Sequence, residues 1–144
     1  MKKRVLMFIL AALTATALLT GCGLKESEVS YADDMVENLL QGMEQDDYAM
    51  FSRDFSDEMK AAIDEDAFAA MVESFSTTIG AYENKSFYQA ANTTQDDVSY
   101  TIVVYKAKFS DEEDDVLITV TFSGEEGSKV IDGLYFNSAK LRGE

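Results

Sequence analysis

Few side chains in this sequence are equipped for chemistry. Cys22 is its single thiol, set in Leu19-Thr20-Gly21-Cys22 after a basic start (Lys2, Lys3, Arg4) and an apolar run from Val5 to about Leu19. Asp132 alternates with Val130 and Leu134, which would turn it inward on a strand, where desolvation raises a carboxylate pKa and suits it to acid or base work. The favoured reading is plainer: Asp132 accepts backbone N–H bonds at a bulge beside Gly133, or faces water. Tyr100 and Tyr105 offer hydroxyls on opposite faces of a neighbouring strand. Asp111-Glu112-Glu113-Asp114-Asp115 supplies the oxygen ligands that calcium prefers, but lacks the glycine turn and ligand spacing of an EF-hand loop. It reads as a solvated hairpin tip. Met35, Met43, Met50, Met59 and Met71 carry thioethers that suit Cu(I), yet fall at helical core spacing and are assigned to packing. The chain has no His, so Ser52, Ser56, Ser74 and Ser76 have no imidazole to activate them, and Ser-His-Asp or Cys-His catalysis is excluded. No cofactor or metal is expected.

The order of charged head, apolar middle and small residues is that of an export signal. A membrane span needs ~20 apolar residues; this run is shorter and is interrupted by Thr14 and Thr16. Ending in Cys22, it resembles the lipobox of bacterial lipoproteins. The resemblance implies that the thiol receives a diacylglyceryl group, the chain is cut before Cys22, and the new amino terminus is acylated by a fatty acid such as palmitate. Residues 1–21 are then a signal peptide, 22–29 the lipidated cysteine and a short polar tether, and 30–144 a single domain. Two or three acyl chains hold a protein stably on a bilayer. The expected location is the extracytoplasmic side of the cell membrane.

All 27 acidic side chains follow Cys22, whereas three of the 12 basic ones precede it, so cleavage takes the net charge from −15 to −18. Such a surface repels phosphate backbones, and nucleic acid is not an expected partner. A chain of this length forms one domain with one core, and a lone cysteine leaves no disulfide to support it.

The elements that must position these residues are legible in the hydrophobic period. Ala32, Met35, Val36, Leu39, Leu40 and Met43 recur at spacings of three and four, giving an amphipathic helix with Ser30 as N-cap and Gly42 weakening its end. A short turn of helix follows at Tyr48–Phe51. A second helix is capped by Ser56, and a third places Phe68, Met71, Val72 and Phe75 inward and ends near Gly80. From Ala81 the period becomes two. Strands are expected over Tyr82–Ala90, Val98–Phe109, Val116–Phe122 and Lys129–Phe136, with Asn92–Asp97 as a loop and Gly133 as the site of a bulge. Short connections favour an antiparallel meander. On the second strand, Val103, Tyr105, Ala107 and Phe109 share one face; with Leu117 they are expected to offer an apolar surface to a partner or second copy.

Over roughly residues 30 to 137 the sequence resembles the bacterial and archaeal domain-of-unknown-function 3887 family. The likeness is carried by Asp46-Asp47-Tyr48, by Phe51 through Phe55-Ser56-Asp57-Glu58-Met59-Lys60, by Gly80, and by Val130-Ile131-Asp132-Gly133-Leu134-Tyr135-Phe136. The resemblance implies an α+β fold, with N-terminal helices packed on a curved four-stranded antiparallel sheet in a cystatin-like or NTF2-like cone. It brings no established catalytic residue. The expected function is a lipid-anchored, non-catalytic binding or accessory module, taking a protein partner or second copy on the sheet or a small apolar ligand within the cone. The alternatives are a small hydrolase or isomerase using Asp132 and a nearby Tyr, and a structural envelope protein.

Overall fold

A change of hydrophobic period at Gly80 divides the chain into its two layers. The computed structural model describes residues 23–144; the apolar leader and Cys22 lie outside the described residues. Helix α1 spans Ser30–Glu44, α2 Tyr48–Phe51, α3 Asp57–Ala62 and α4 Glu65–Thr78. Strands β1 (Tyr82–Gln95), β2 (Val98–Phe109), β3 (Val116–Ser123) and β4 (Val130–Asn137) follow, antiparallel in the order β1-β2-β3-β4.

The helices form where capping residues and spacing place them, with one difference. Ser56 Oγ accepts the Met59 N–H at 3.2 Å, and Asp64 Oδ1 accepts that of Ala67 at 2.9 Å, so α3 and α4 begin at satisfied N-caps. Ser30 does not cap α1. A 3-10 turn over Glu26–Val29 runs straight into the helix, and Val29 takes the N-cap position. The α1 stripe of Ala32, Val36, Leu39, Leu40 and Met43 is buried. Gly42, expected only to weaken the helix, is where α2 crosses it. A Cβ there would stand 2.5 Å from Phe51 N and 2.7 Å from its Cα. Phe51 in turn stacks on Phe55 and Phe68, with ring centroids 4.9 and 4.7 Å apart.

Strand β1 runs four residues past Ala91, through a polar stretch that reads as loop. Asn92, Thr93, Thr94 and Gln95 pair with Thr101, Tyr100, Ser99 and Val98. The reversal is confined to Asp96 and Asp97, both at positive φ (52° and 64°), the conformation that a tight hairpin needs and that Asp tolerates. In β4 the register shifts opposite Thr121 and Phe122, leaving Asp132 as the extra residue of a bulge beside Gly133.

The expected curved cone requires correction. The α+β class, the N-terminal helices and the four antiparallel strands are present, but the sheet is open: β1 and β4 are its two edges and do not meet. Other segments occupy the edges that closure would use. The Leu24 N–H donates to the Ala90 carbonyl at 2.8 Å on β1. On β4, the Ile131 N–H donates to Asp54 O at 2.7 Å, and Ser56 N–H to Ile131 O at 2.9 Å. The segment just before α1 is accordingly held against the domain, with Leu24 bonded to β1 and Val29 buried.

The facing of β2 also differs from expectation. Val103, Tyr105, Ala107 and Phe109, expected to meet a partner, lie beneath the helices with Val116, Ile118, Val120 and Phe122 and form the core. Leu117, one residue out of phase, is on the opposite face with its register partner Lys106. The acidic turn after β2 is not uniformly solvated. Glu112 is buried, and its Oε2 accepts from Ser138 Oγ and, at 3.2 Å, from Lys140 N–H. Those bonds hold its carboxyl below the usual glutamate range and fix the C-terminal residues to the sheet.

Candidate functional site

No hydrogen bond joins Asp132 to Tyr100 or Tyr105. Asp132 Oδ1 accepts a hydrogen bond from Ser56 Oγ at 2.7 Å, so the N-cap of α3 is tied to the β4 bulge. Its hydroxyl partner is a serine that is already capping a helix; no bond to a Tyr is made. Tyr105 is 1% exposed and lies in the core. Burial, followed by the field of Asp33 and Glu26, raises its phenol above the ordinary range and keeps it protonated. Tyr100 projects from the other face, opposite Thr93 near the Asp96-Asp97 turn.

A polar cluster that the period-two reading missed lies between α1 and β1. The β1 register shifts between Tyr82 and Asn84, bringing Lys85 opposite Ala107 on the helix-covered face. The Lys85 side chain is 5% exposed; its ammonium pairs with Asp33 and, at 3.4 Å, with Glu37, and sits 4.8 Å from the Tyr105 ring centroid. Tyr82 Oη donates to Glu37 Oε2 at 2.8 Å. Desolvation and that carboxylate raise the Tyr82 phenol as well. Both phenols stay protonated and the Lys85 ammonium is ion-paired, so the cluster is a clamp between helix and sheet. A bulge cannot be read from residue types, and this one alone turns Lys85 inward.

Beside the clamp, a groove of about 360 Å³ opens between the C-terminal ends of α1 and α4 and the edge where the start of β1 pairs with the end of β2. Met43, Val72, Phe75 and Phe109 form its walls, and Glu44 and Asp111 line it too. Glu44 Oε1 accepts the Tyr82 N–H at 2.9 Å. Gly80 shapes the floor: its φ is +81°, and a Cβ would fall 2.1 Å from Ser110 Oγ and 2.8 Å from Asp111 Oδ2. Its lining contains no basic residue.

The second surface is the sheet face away from the helices. It carries Ile102, Val104, Leu117, Thr119, Thr121 and Tyr135 across β2, β3 and β4. Tyr88, 48% exposed, lies under the Lys106 ammonium at 4.3 Å. Of the 27 acidic residues only Glu83 and Asp132 fall within the four strands. Glu83 stands near Lys108, itself paired with Asp115 at 2.7 Å, and Asp132 is engaged with Ser56.

The family described as Protein of unknown function (DUF3887) matches residues 36–131, about two thirds of the chain. The chain belongs to this family. The DUF3887 match begins at Val36 inside α1 and ends at Ile131, where β4 pairs with the Asp54–Ser56 segment. It therefore takes in the Gly42–Phe51 crossing and the Ser56 cap, and stops before Asp132. No curated protein matches the chain. Among the described residues, no group of three or more His, Cys, Asp or Glu is placed to hold a metal ion, and no helix is long and apolar enough to cross a membrane.

Proposed function

We propose that this DUF3887 protein is a lipid-anchored, extracytoplasmic, non-catalytic module that self-associates through its outer sheet face. The observation carrying the reading is where the charge lies: 25 of the 27 carboxylate side chains sit on helices, turns and termini, and two on strands. A surface made only for solubility would distribute them over every exposed face. The outer face instead combines apolar, aromatic and hydroxyl side chains with Lys106 and Lys108, a composition suited to being covered.

A second copy fits this face. Lys106 and Lys108 lie toward one end of the strands, and the Asp96-Asp97 and Glu125-Glu126 turns lie at the other. A two-fold axis across the strands brings the lysines of each copy toward the acidic turns of its mate. At ~3.3 Å rise and ~4.8 Å strand spacing the sheet covers roughly 650 Å². That is near the ~800 Å² per partner of a standard interface. Anchoring is supported by Leu19-Thr20-Gly21-Cys22 behind its basic and apolar leader.

The test uses the full chain in native membranes with Thr119→Cys, treated with a short bifunctional maleimide able to span the ~10 Å between stacked sheets. Lipidation of Cys22 leaves the introduced thiol as the reactive one. A cross-linked dimer at Thr119→Cys, absent at Ser74→Cys on the exposed side of α4 and abolished by Ile102→Glu, is the expected result. Cross-linking equal at the two positions sinks the sheet interface. A free, unmodified Cys22 by mass spectrometry sinks the anchoring.

A further inference from the structure

We infer that the groove between α1, α4 and the β1–β2 end is a binding site for a small organic ammonium ion bearing an apolar chain or ring. It lies on the helix side of the sheet, so the inference is independent of the anchoring and of the sheet interface. A volume of about 360 Å³ holds about twelve water-sized groups and falls in the range of small-molecule pockets. Met43, Val72, Phe75 and Phe109 offer thioether, aliphatic and aromatic surface to a hydrocarbon tail. The charge decides the head group. Glu44 and Asp111, both exposed, are the carboxylates of the lining, and neither is paired with a basic side chain among the described residues.

The groups already present leave acceptor capacity unused. Glu44 spends Oε1 on the Tyr82 N–H, and a carboxylate has about four lone-pair sites. The Lys140 ammonium donates to the Asp111 backbone carbonyl and makes no bond to the side-chain oxygens, which remain for a ligand. Ser76 and Ser110 hydroxyls extend the polar side of the lining. An anion entering here would meet two carboxylates, and the ammonium beside them, that of Lys140, is already held by the Asp111 carbonyl. A neutral apolar molecule would fill the walls and leave the two exposed carboxylates to water. An ammonium satisfies both halves. Gly80 permits this shape, since any side chain there would collide with Ser110 and Asp111.

The probe is 4-phenylbutylammonium, compared with 4-phenylbutanol and 4-phenylbutyrate, titrated calorimetrically into the full chain in phosphatidylcholine nanodiscs with empty-nanodisc heats subtracted. Saturable one-to-one binding of the ammonium is expected, with the alcohol about tenfold weaker because it lacks charge-assisted hydrogen bonds. The butyrate should show no binding. Glu44→Gln and Asp111→Asn should each weaken the ammonium several-fold and leave the alcohol unchanged. Val72→Trp, which fills the groove, should abolish both, with unchanged circular dichroism showing that the fold persists. Equal affinities for the three probes, no saturable ammonium binding, or binding insensitive to all three substitutions would overturn the assignment.

Discussion

Gly42→Ala separates two physical accounts that differ in sign. On helix propensity alone the substitution should help, since Ala is favoured over Gly by ~1 kcal/mol in a helix interior. The structure argues the reverse. The new methyl would lie 2.5 Å from Phe51 N, 2.7 Å from Phe51 Cα and 3.0 Å from Phe51 Cβ, against ordinary contacts of ~3.5–4.0 Å. Two of those atoms are backbone, and the Phe51 N–H is held by the Asp47 carbonyl at 2.9 Å, so no rotamer change relieves the overlap. Helix α2 must retreat by about 1 Å, enough to forfeit up to half of the dispersion energy across the seam. Phe51 would carry that shift into its stacks on Phe55 and Phe68. Overpacking of this kind costs ~1–3 kcal/mol. Because the overlap is with backbone, the cost lies in the upper part of that range, at about 2–3 kcal/mol; set against the ~1 kcal/mol propensity gain, the net loss is about 1–2 kcal/mol, or a fall of roughly 3–10 °C in Tm for a domain of this size. Thermal and urea unfolding followed by circular dichroism would measure it. Ser74→Ala, on the exposed side of α4, is the control that gains propensity without a collision. A Gly42→Ala protein melting at or above the unsubstituted chain would refute the steric account.

Two further outcomes follow from the hydrogen bonds. Ser56→Ala removes both the α3 cap and the partner of Asp132, and should cost about 2 kcal/mol in urea unfolding, with Asp132→Asn costing less because its amide oxygen still accepts. The phenols of Tyr82 and Tyr105 are raised by burial and, for Tyr82, by Glu37. A raised folded pKa adds stability that is complete below the unfolded value of ~10 and is lost as pH climbs from there toward the folded one. Absorbance titration of the seven tyrosines should therefore show two that ionise only together with alkaline unfolding. Their titration within a still-folded protein at the ordinary phenol pH would contradict the burial.

Much of the helical layer was legible because its signals are local. Ser56 capping α3 and the three-four spacing of α1 are properties of neighbouring residues, and both survived folding. What escaped notice depends on contacts across the chain. The facing of Val103 and Tyr105 is a matter of parity, and both faces of β2 are apolar enough that the alternation does not choose between them. Asn92 to Gln95 look like loop because their partners are invisible until β2 is laid beside them. The buried Lys85 depends on a bulge, and the buried Glu112 on the return of Ser138, 26 residues later in sequence. The open sheet has a similar origin: Leu24 and Asp54–Ser56 are distant segments that occupy its edges. The groove could not be anticipated as a site, because α1, α4 and the end of β2 each supply only part of it. Gly80 was the one local hint.

The bond from Leu24 to Ala90 bears on how much freedom an anchored domain would have. With consecutive Cα atoms ~3.8 Å apart, position 22 can stand no more than about 8 Å from Leu24. Acyl chains on Cys22 would therefore give the body almost no leash: it would ride beside the headgroups, with the β1 rim nearest the lipid. Encounters with neighbours would become sideways collisions in a plane, in which every copy arrives already upright.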